Sequence, residues 1–147
     1  MYIEKTVQTA KRGSLLELTE EVKQIVAASG IHHGVALVST PEPGAGILCT
    51  SFYDPKGHED IIEDFDRIWP ARLDFQSTGD PWKVAAESKA SVAGQSMDFI
   101  VEEGTLKLGG SQGIFFGEYV AGQQRNHILP RLIEHEQRTY AVTVLGL

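Results

Sequence analysis

The sequence predicts an α+β fold: mixed or antiparallel β-sheets packed with about three helices in a single domain. Three observations predict it. A chain of 147 residues is long enough for one domain with a real core and no staples. Seven or eight short runs, roughly, have the apolar, β-branched character of strands and are mostly joined by turn chemistry. Between them lie stretches whose apolar residues recur at helical spacing.

In chain order, Tyr2 to Thr9 alternates and carries β-branched residues, so it reads as the first strand. Lys11-Arg12-Gly13-Ser14 is a turn, and Leu15 to Leu18 leads into Thr19, the candidate N-cap of a helix. Glu20 and Glu21 suit its positive end, Val22, Ile25 and Val26 share its buried face, and Ser29-Gly30 stops it. Gly34 to Thr40 is a continuous apolar strand suited to a sheet interior. His32 and His33 precede it as turn residues, since neighbours on an extended chain point to opposite sides and make a poor metal pair. Pro41 to Gly46 is a loop, and Ile47 to Ser51 restarts a strand.

The turn Asp54-Pro55-Lys56-Gly57 opens a helix from His58 to Trp69. Its buried stripe is Ile61, Ile62, Phe65 and Ile68, while Glu59, Asp60, Glu63, Asp64 and Asp66 face water. Asp54 and Asp60 lie near the helix start, where an aspartate either caps the helix or reaches a site. Ala71 to Trp82 is a long loop, and Lys83 to Ala93 a moderately amphipathic helix ended by Gly94. Ser96 to Glu102 alternates as a strand, and Glu103-Gly104 turns it into Thr105 to Leu108. Gly109-Gly110-Ser111-Gln112-Gly113 then breaks the pattern before Ile114-Phe115-Phe116 resumes it, with Glu118 just past. A polar, glycine-lined break between buried strands marks either a close approach of backbone to a ligand or another chain, or a hairpin turn with a bulge. Val120 to Arg138 is a polar excursion, and Tyr140 to Leu145 closes the chain as a strand.

Composition narrows the function classes. Hydrophobic content of 41% and charged content of 22% are ordinary for a globular protein. No apolar run reaches membrane-spanning length, and the first residues lack the layout of a signal peptide, so no membrane partner and a cytoplasmic location are expected. The lone Cys49 excludes an internal disulfide and reads as a buried, inert thiol. A net charge of −7 without a basic run argues against nucleic acid as a partner.

Five segments then stand in a distinctive order: Pro41-Glu42-Pro43-Gly44-Ala45-Gly46-Ile47; Asp54-Pro55 with Asp60 six residues after the first aspartate; Glu87-Ser88-Lys89-Ala90-Ser91-Val92-Ala93-Gly94; Leu108-Gly109-Gly110-Ser111-Gln112-Gly113-Ile114; and Glu118. This order resembles the YjbQ family (UPF0047), also called secondary thiamine-phosphate synthases, whose segments run Pro-His-Thr-Thr-Ala-Gly-Ile, Asp-Pro, His-Ile-Lys-Ser-Ser-Leu-Leu-Gly and Leu-Gly-Thr-Trp-Gln-Gly-Ile. The resemblance covers nearly the whole chain to about Tyr119, then the last strand; 120–138 is an insertion atypical of the family. It implies a homotrimer and transfer chemistry on small phosphorylated molecules, joining a thiazole phosphate to a pyrimidine pyrophosphate. The departures fall on the chemistry. Two family histidines become Glu42 and Glu87, the third falls in the Asp74 to Gln76 region with no histidine, and the tryptophan becomes Ser111.

Imidazoles suit zinc; carboxylates suit magnesium, calcium or manganese. The resemblance therefore implies Glu42, Asp54, Glu87 and Gln112 as the catalytic set. The three carboxylates would either hold a divalent cation such as magnesium or share protons as a general acid and base. Alternatively, the old site has decayed and the glutamates project into water. Backbone N–H groups at Gly109, Gly110, Ser111 and Gly113 could form a phosphate nest, with Lys89 as counter-charge. The competing class is a non-catalytic homo-oligomeric module that binds a small ligand or a protein.

Overall fold

The computed structural model describes residues 1–9, 14–120 and 137–147. Among them are eight strands and three helices: β1 Tyr2–Gln8, β2 Ser14–Glu17, α1 Thr19–Ser29, β3 His33–Ser39, β4 Ala45–Ser51, α2 Pro55–Ile68, α3 Pro81–Ala93, β5 Ser96–Glu102, β6 Thr105–Leu106, β7 Gln112–Glu118 and β8 Gln137–Gly146. The strands form two antiparallel sheets, ordered β1-β8-β3-β5-β6 and β2-β7-β4. The expected α+β class is thus the observed one. The segment Lys11 to Gly13, read as a turn, and nearly all of 120–138, read as an insertion, lie outside the described residues.

The smaller sheet is apolar on both faces, which positions everything else. Ile47 of β4 and Ile114 and Phe116 of β7 face the main core, against α1 (Val22, Val26) and the larger sheet (Val38, Val101, Tyr140, Val142). From the other face, Leu15 joins Tyr119 and Val120, which follow β7, under Ile62 and Phe65 of α2 and Ala86 and Ala90 of α3. A strand covered on both sides carries a continuous apolar run, and β7 is buried from Gly113 to Glu118. Its glycines serve this packing. A Cβ on Gly117 would stand 2.7 Å from the Tyr119 hydroxyl oxygen, so that ring lies over a strand position only glycine leaves open.

Several boundaries differ from the sequence reading. The break Gly109 to Gly113 is no hairpin: β6 ends at Leu106, on the edge of the larger sheet, and β7 begins at Gln112, in the middle of the smaller one. The chain therefore changes sheets here. Glu118 is the last residue of β7, not a residue beyond it. Thr19 is not the N-cap. Leu18 occupies that position without a side-chain cap, and the buried Thr19 hydroxyl accepts the Ile114 N–H at 2.9 Å and donates to Glu17 Oε2 at 2.9 Å. It ties helix to strand instead. Leu15 to Glu17, read only as a lead-in, lie in strand β2.

α2 starts at Pro55, three residues early, because the Asp54 carboxylate caps it by accepting the Gly57 N–H at 3.0 Å. Asp80 and Pro81 likewise start α3 before Lys83 and shorten the preceding loop. Ile68 is 61% exposed and leaves the expected buried stripe. Asp66, expected to face water, is instead tucked against Lys89, its Oδ1 2.5 Å from the ammonium nitrogen. His33 opens β3 and meets Glu102 across the strand pair at 2.7 Å. The Glu103-Gly104 turn is as expected, both residues having positive φ, as a tight hairpin requires.

Two buried phenols give this core a pH signature. The Tyr119 hydroxyl has no hydrogen-bond partner, and burial pushes its ionisation well above the usual tyrosine range. Burial, then the hydrogen bond to Glu21, raises Tyr140 in the same way. Both stay neutral to a higher pH when folded than when unfolded. Their contribution is therefore present below about pH 10 and lost as pH rises beyond it. Tyr119→Phe removes a buried donor without a partner and should leave the protein equally stable or about 1 kcal/mol more stable at neutral pH. Urea midpoints from pH 7 to alkaline pH check this: the variant should match or exceed the parent at neutrality and lose less stability above about pH 10.

Candidate functional site

The change of sheets sets one wall of a cleft. Phe52, just after β4, donates its N–H to the Ser111 carbonyl at 2.9 Å and fixes the crossover to the end of β4. Within the crossover, the Gln112 N–H reaches the Gly109 carbonyl at 3.0 Å, and the Gln112 side-chain oxygen accepts the Gly109 N–H at 2.7 Å. The glutamine thus closes the turn on itself. Above it opens a cleft of about 450 Å³ whose walls include Gly109, Gly110 and Gln112, the apolar Phe52, Leu106 and Leu108, and Glu17, Thr19, Glu20 and Lys23 from the β2–α1 corner.

The sequence-predicted residues divide between places. Gln112, Gly109, Gly110 and Ser111 belong to the crossover, and Gly113 stands beside it in β7. A Cβ on Gly113 would lie 3.0 Å from Glu17 Oε2 and 3.1 Å from the Thr19 hydroxyl, which is why β7 passes the β2–α1 corner so closely. The expected phosphate nest is partly closed, because the Gly109 N–H is held by Gln112 and the Gln112 N–H by Gly109. Asp54 is on this side too, capping α2.

Glu42 is at the other end. Gln112 pairs with Ser51, and Glu118 with Ala45, so the residues before Ala45 sit about 20 Å along β7 from Gln112. There the Glu42 carboxylate accepts the Thr139 N–H at 2.9 Å, and its carbonyl accepts from Gln95 Nε2 at 2.7 Å. It fastens the start of β8. Glu87 is exposed on α3, where Ala85, Ala86, Lys89 and Ala90 form the buried side. Lys89 is not available as a phosphate counter-charge: it is 5% exposed and paired with Asp66. The Asp74 to Gln76 region lies between α2 and α3, where Arg72 bonds Asp74 at 2.9 Å and stacks 4.2 Å from the Phe75 ring centre. That guanidinium holds the Asp74 carboxyl below its usual range.

Among the described residues no three histidine, cysteine, aspartate or glutamate side chains are grouped to hold a metal ion. Glu42, Asp54 and Glu87 therefore do not form the divalent-cation set within one chain. The nearest thing to a built charged centre is Glu118. Its side chain is fully buried, with Arg138 Nε 2.8 Å from Oε2 and Arg138 Nη2 3.2 Å and the Val120 N–H 3.0 Å from Oε1. With Glu42 on Thr139 and the Thr40 hydroxyl on the Thr139 carbonyl at 2.8 Å, consecutive residues of β8 are clamped by three separate side chains. Burial also raises the pKa of the half-buried Cys49, as befits an inert thiol.

With this geometry in place, the comparisons agree. The chain matches the family described as UPF0047 protein YjbQ-like over residues 3–146. It belongs to that family. It is 36% identical over 115 residues to the UPF0047 protein YugU of Bacillus subtilis (strain 168), covering 77% of this chain and 85% of that one. A UPF0047 protein of Methanocaldococcus jannaschii is 30% identical over 119 residues, covering 81% and 85%. Among solved structures, a YjbQ/UPF0047 family protein of Clostridium acetobutylicum superposes with a TM-score of 0.82 at 30% identity, covering 97% of this chain and 99% of that one. A protein of Sulfolobus solfataricus P2, described as YbjQ-like and of unknown function, gives 0.84 at 25% identity, covering 100% and 97%. No helix among the described residues of this YjbQ-like chain is long and apolar enough to cross a membrane.

Sequence reasoning missed the β2–α1 contribution to the cleft. Glu17 and Thr19 alternate beside apolar neighbours and read as scaffold. Only the pairing of Glu17 with Phe115 shows that they border the crossover. The divided roles of the glutamates give a stability test. Glu118→Ala removes one member of a buried carboxylate–guanidinium pair and should cost about 3 kcal/mol or more. Glu42→Ala should cost about 1 kcal/mol for one lost acceptor, and Glu87→Ala should stay within about 0.5 kcal/mol. Urea denaturation of the three variants, read by far-UV circular dichroism, checks that order.

Proposed function

We propose that this YjbQ-like protein is a small-ligand-binding member of its family, taking its ligand in the cleft at the crossover between sheets. The observation that supports this is the pairing of an open cleft with a rigid floor. Gln112 and Gly109 hold each other's backbone, and the Phe52 N–H pins Ser111, so the wall needs no ordering on binding. The three carboxylates of the expected set do not fit a divalent cation: Glu42 is engaged with Thr139, Asp54 caps α2, and Glu87 is exposed on α3. Within one chain these three carboxylates share no coordination sphere.

A second reading, thiamine-phosphate-synthase-like transfer on small phosphorylated substrates, is favoured by one observation. The two matched segments, around Glu42 and around Gln112, lie at opposite ends of one sheet. A head-to-tail contact between copies joins opposite ends of neighbours, and a ring such as a homotrimer would set one copy's Glu42 end against the next copy's Gln112 end. The two readings separate by melting with magnesium, manganese or zinc, light scattering, and rescue of a thiamine-auxotrophic strain. Ligand binding without transfer predicts no metal-linked rise in melting temperature and no rescue by a folded, expressed protein. A rise that disappears in both Glu42→Ala and Glu87→Ala, in a protein of trimeric mass that rescues growth, would overturn it in favour of transfer.

A further inference from the structure

The chemistry of the cleft walls specifies more than an unassigned ligand. Two carboxylates, Glu17 and Glu20, face it against one ammonium, Lys23. Lys23 lies 3.6 Å from Glu20, so these two charges largely offset each other. Glu17 is the remainder. Its Oε2 accepts only a neutral hydroxyl, that of Thr19, which brings no compensating charge. The lining also includes the half-buried apolar side chains Leu106, Leu108 and Phe52. Since the Gln112 carbonyl oxygen accepts from Gly109, its NH₂ is the end left to donate.

Building on the ligand-binding reading, we propose that the cleft takes a cationic organic amine, an apolar or aromatic body carrying a protonated nitrogen, with Glu17 as its counter-charge. The body lies on Leu106, Leu108 and Phe52, and the nitrogen meets the carboxylate at the β2–α1 corner. A hydrogen-bond acceptor on the body suits the Gln112 amide. A phosphate group fits this lining badly. It would enter beside two carboxylates, and the one cation among the described lining residues, Lys23, already has Glu20 beside it. The chain's charge of −7 attracts any cation weakly from a distance, but only a ligand with both features uses both walls.

Tryptamine tests this, with neutral N-acetyltryptamine and inorganic phosphate as comparisons, using amide NMR titration and calorimetry at physiological salt. Tryptamine should shift the Gly109, Gly110 and Gln112 amides and bind at least roughly tenfold more tightly than N-acetyltryptamine, the scale of one charge-assisted contact. Phosphate should leave those amides unmoved. Glu17→Gln keeps the Thr19 hydrogen bond and should lower tryptamine affinity by a similar factor, whereas Glu59→Gln, on the exposed face of α2, should not. Equal binding of tryptamine and its acetylated form, unaffected by Glu17→Gln, would overturn the charge assignment while the ligand-binding reading stands. Phosphate shifting these amides in place of tryptamine would also overturn it. Silence from all three probes would remove this inference and the ligand-binding reading together.

Discussion

Burial of β7 on both faces is the constraint from which the rest follows. A strand with core on one side and helices on the other has no solvent face on which to leave a polar group. Each one it carries must find a partner inside the protein. Glu118 is the sharpest instance: a carboxylate at 0% exposure needs partners, and Arg138 and the Val120 N–H are among those that satisfy it. That requirement reaches across the fold. It fixes the start of β8, a strand of the other sheet, against the end of β7, and Glu42 and Thr40 secure the next residue at the same place. The other end of β7 has the opposite character. There the strand leaves the interior, its first residue turns back on Gly109, and polar side chains from the β2–α1 corner gather around the opening. One strand therefore has a locked end and an open end.

Much of the fold was legible because local chemistry and tertiary packing agree. Gly30 ends α1 in the left-handed conformation, Glu103-Gly104 turns the β5–β6 hairpin, and the helical face of Val22, Ile25 and Val26 lies in the core. What was not legible depends on partners distant in sequence. Thr19 has the chemistry of an N-cap, but its hydroxyl goes to Ile114, ninety-five residues away. Asp66 sits on the same α2 face pattern as its solvated neighbours until Lys89, twenty-three residues on, arrives beside it. A buried lysine and a buried aspartate each look like surface residues in a sequence, and only the helix pairing makes them compatible with an interior.

The candidate site divides along the same line. Residues of the crossover were recognisable because three glycines within five positions have no ordinary place in a strand. Glu42 and Glu87 were expected in the site because their segments resemble a family pattern, and a shared position does not carry shared chemistry. An imidazole can coordinate a metal or exchange a proton near neutrality. The carboxylate at Glu42 instead accepts a backbone N–H from Thr139, which a strand entering a sheet needs satisfied. In this chain the Glu42 side chain therefore has an architectural role at the start of β8.

The glycine crossover gives the cleft a floor that does not depend on the side chains lining it. Its floor is made of backbone, closed by hydrogen bonds within Gly109 to Gln112 and by Phe52 on Ser111, and backbone geometry is indifferent to which side chains stand around it. In the proposed binding role, discrimination would rest with side chains at the β2–α1 corner, Glu17, Glu20 and Lys23. A cleft whose lining combines carboxylates with apolar side chains would, in that role, select by charge and apolar area together.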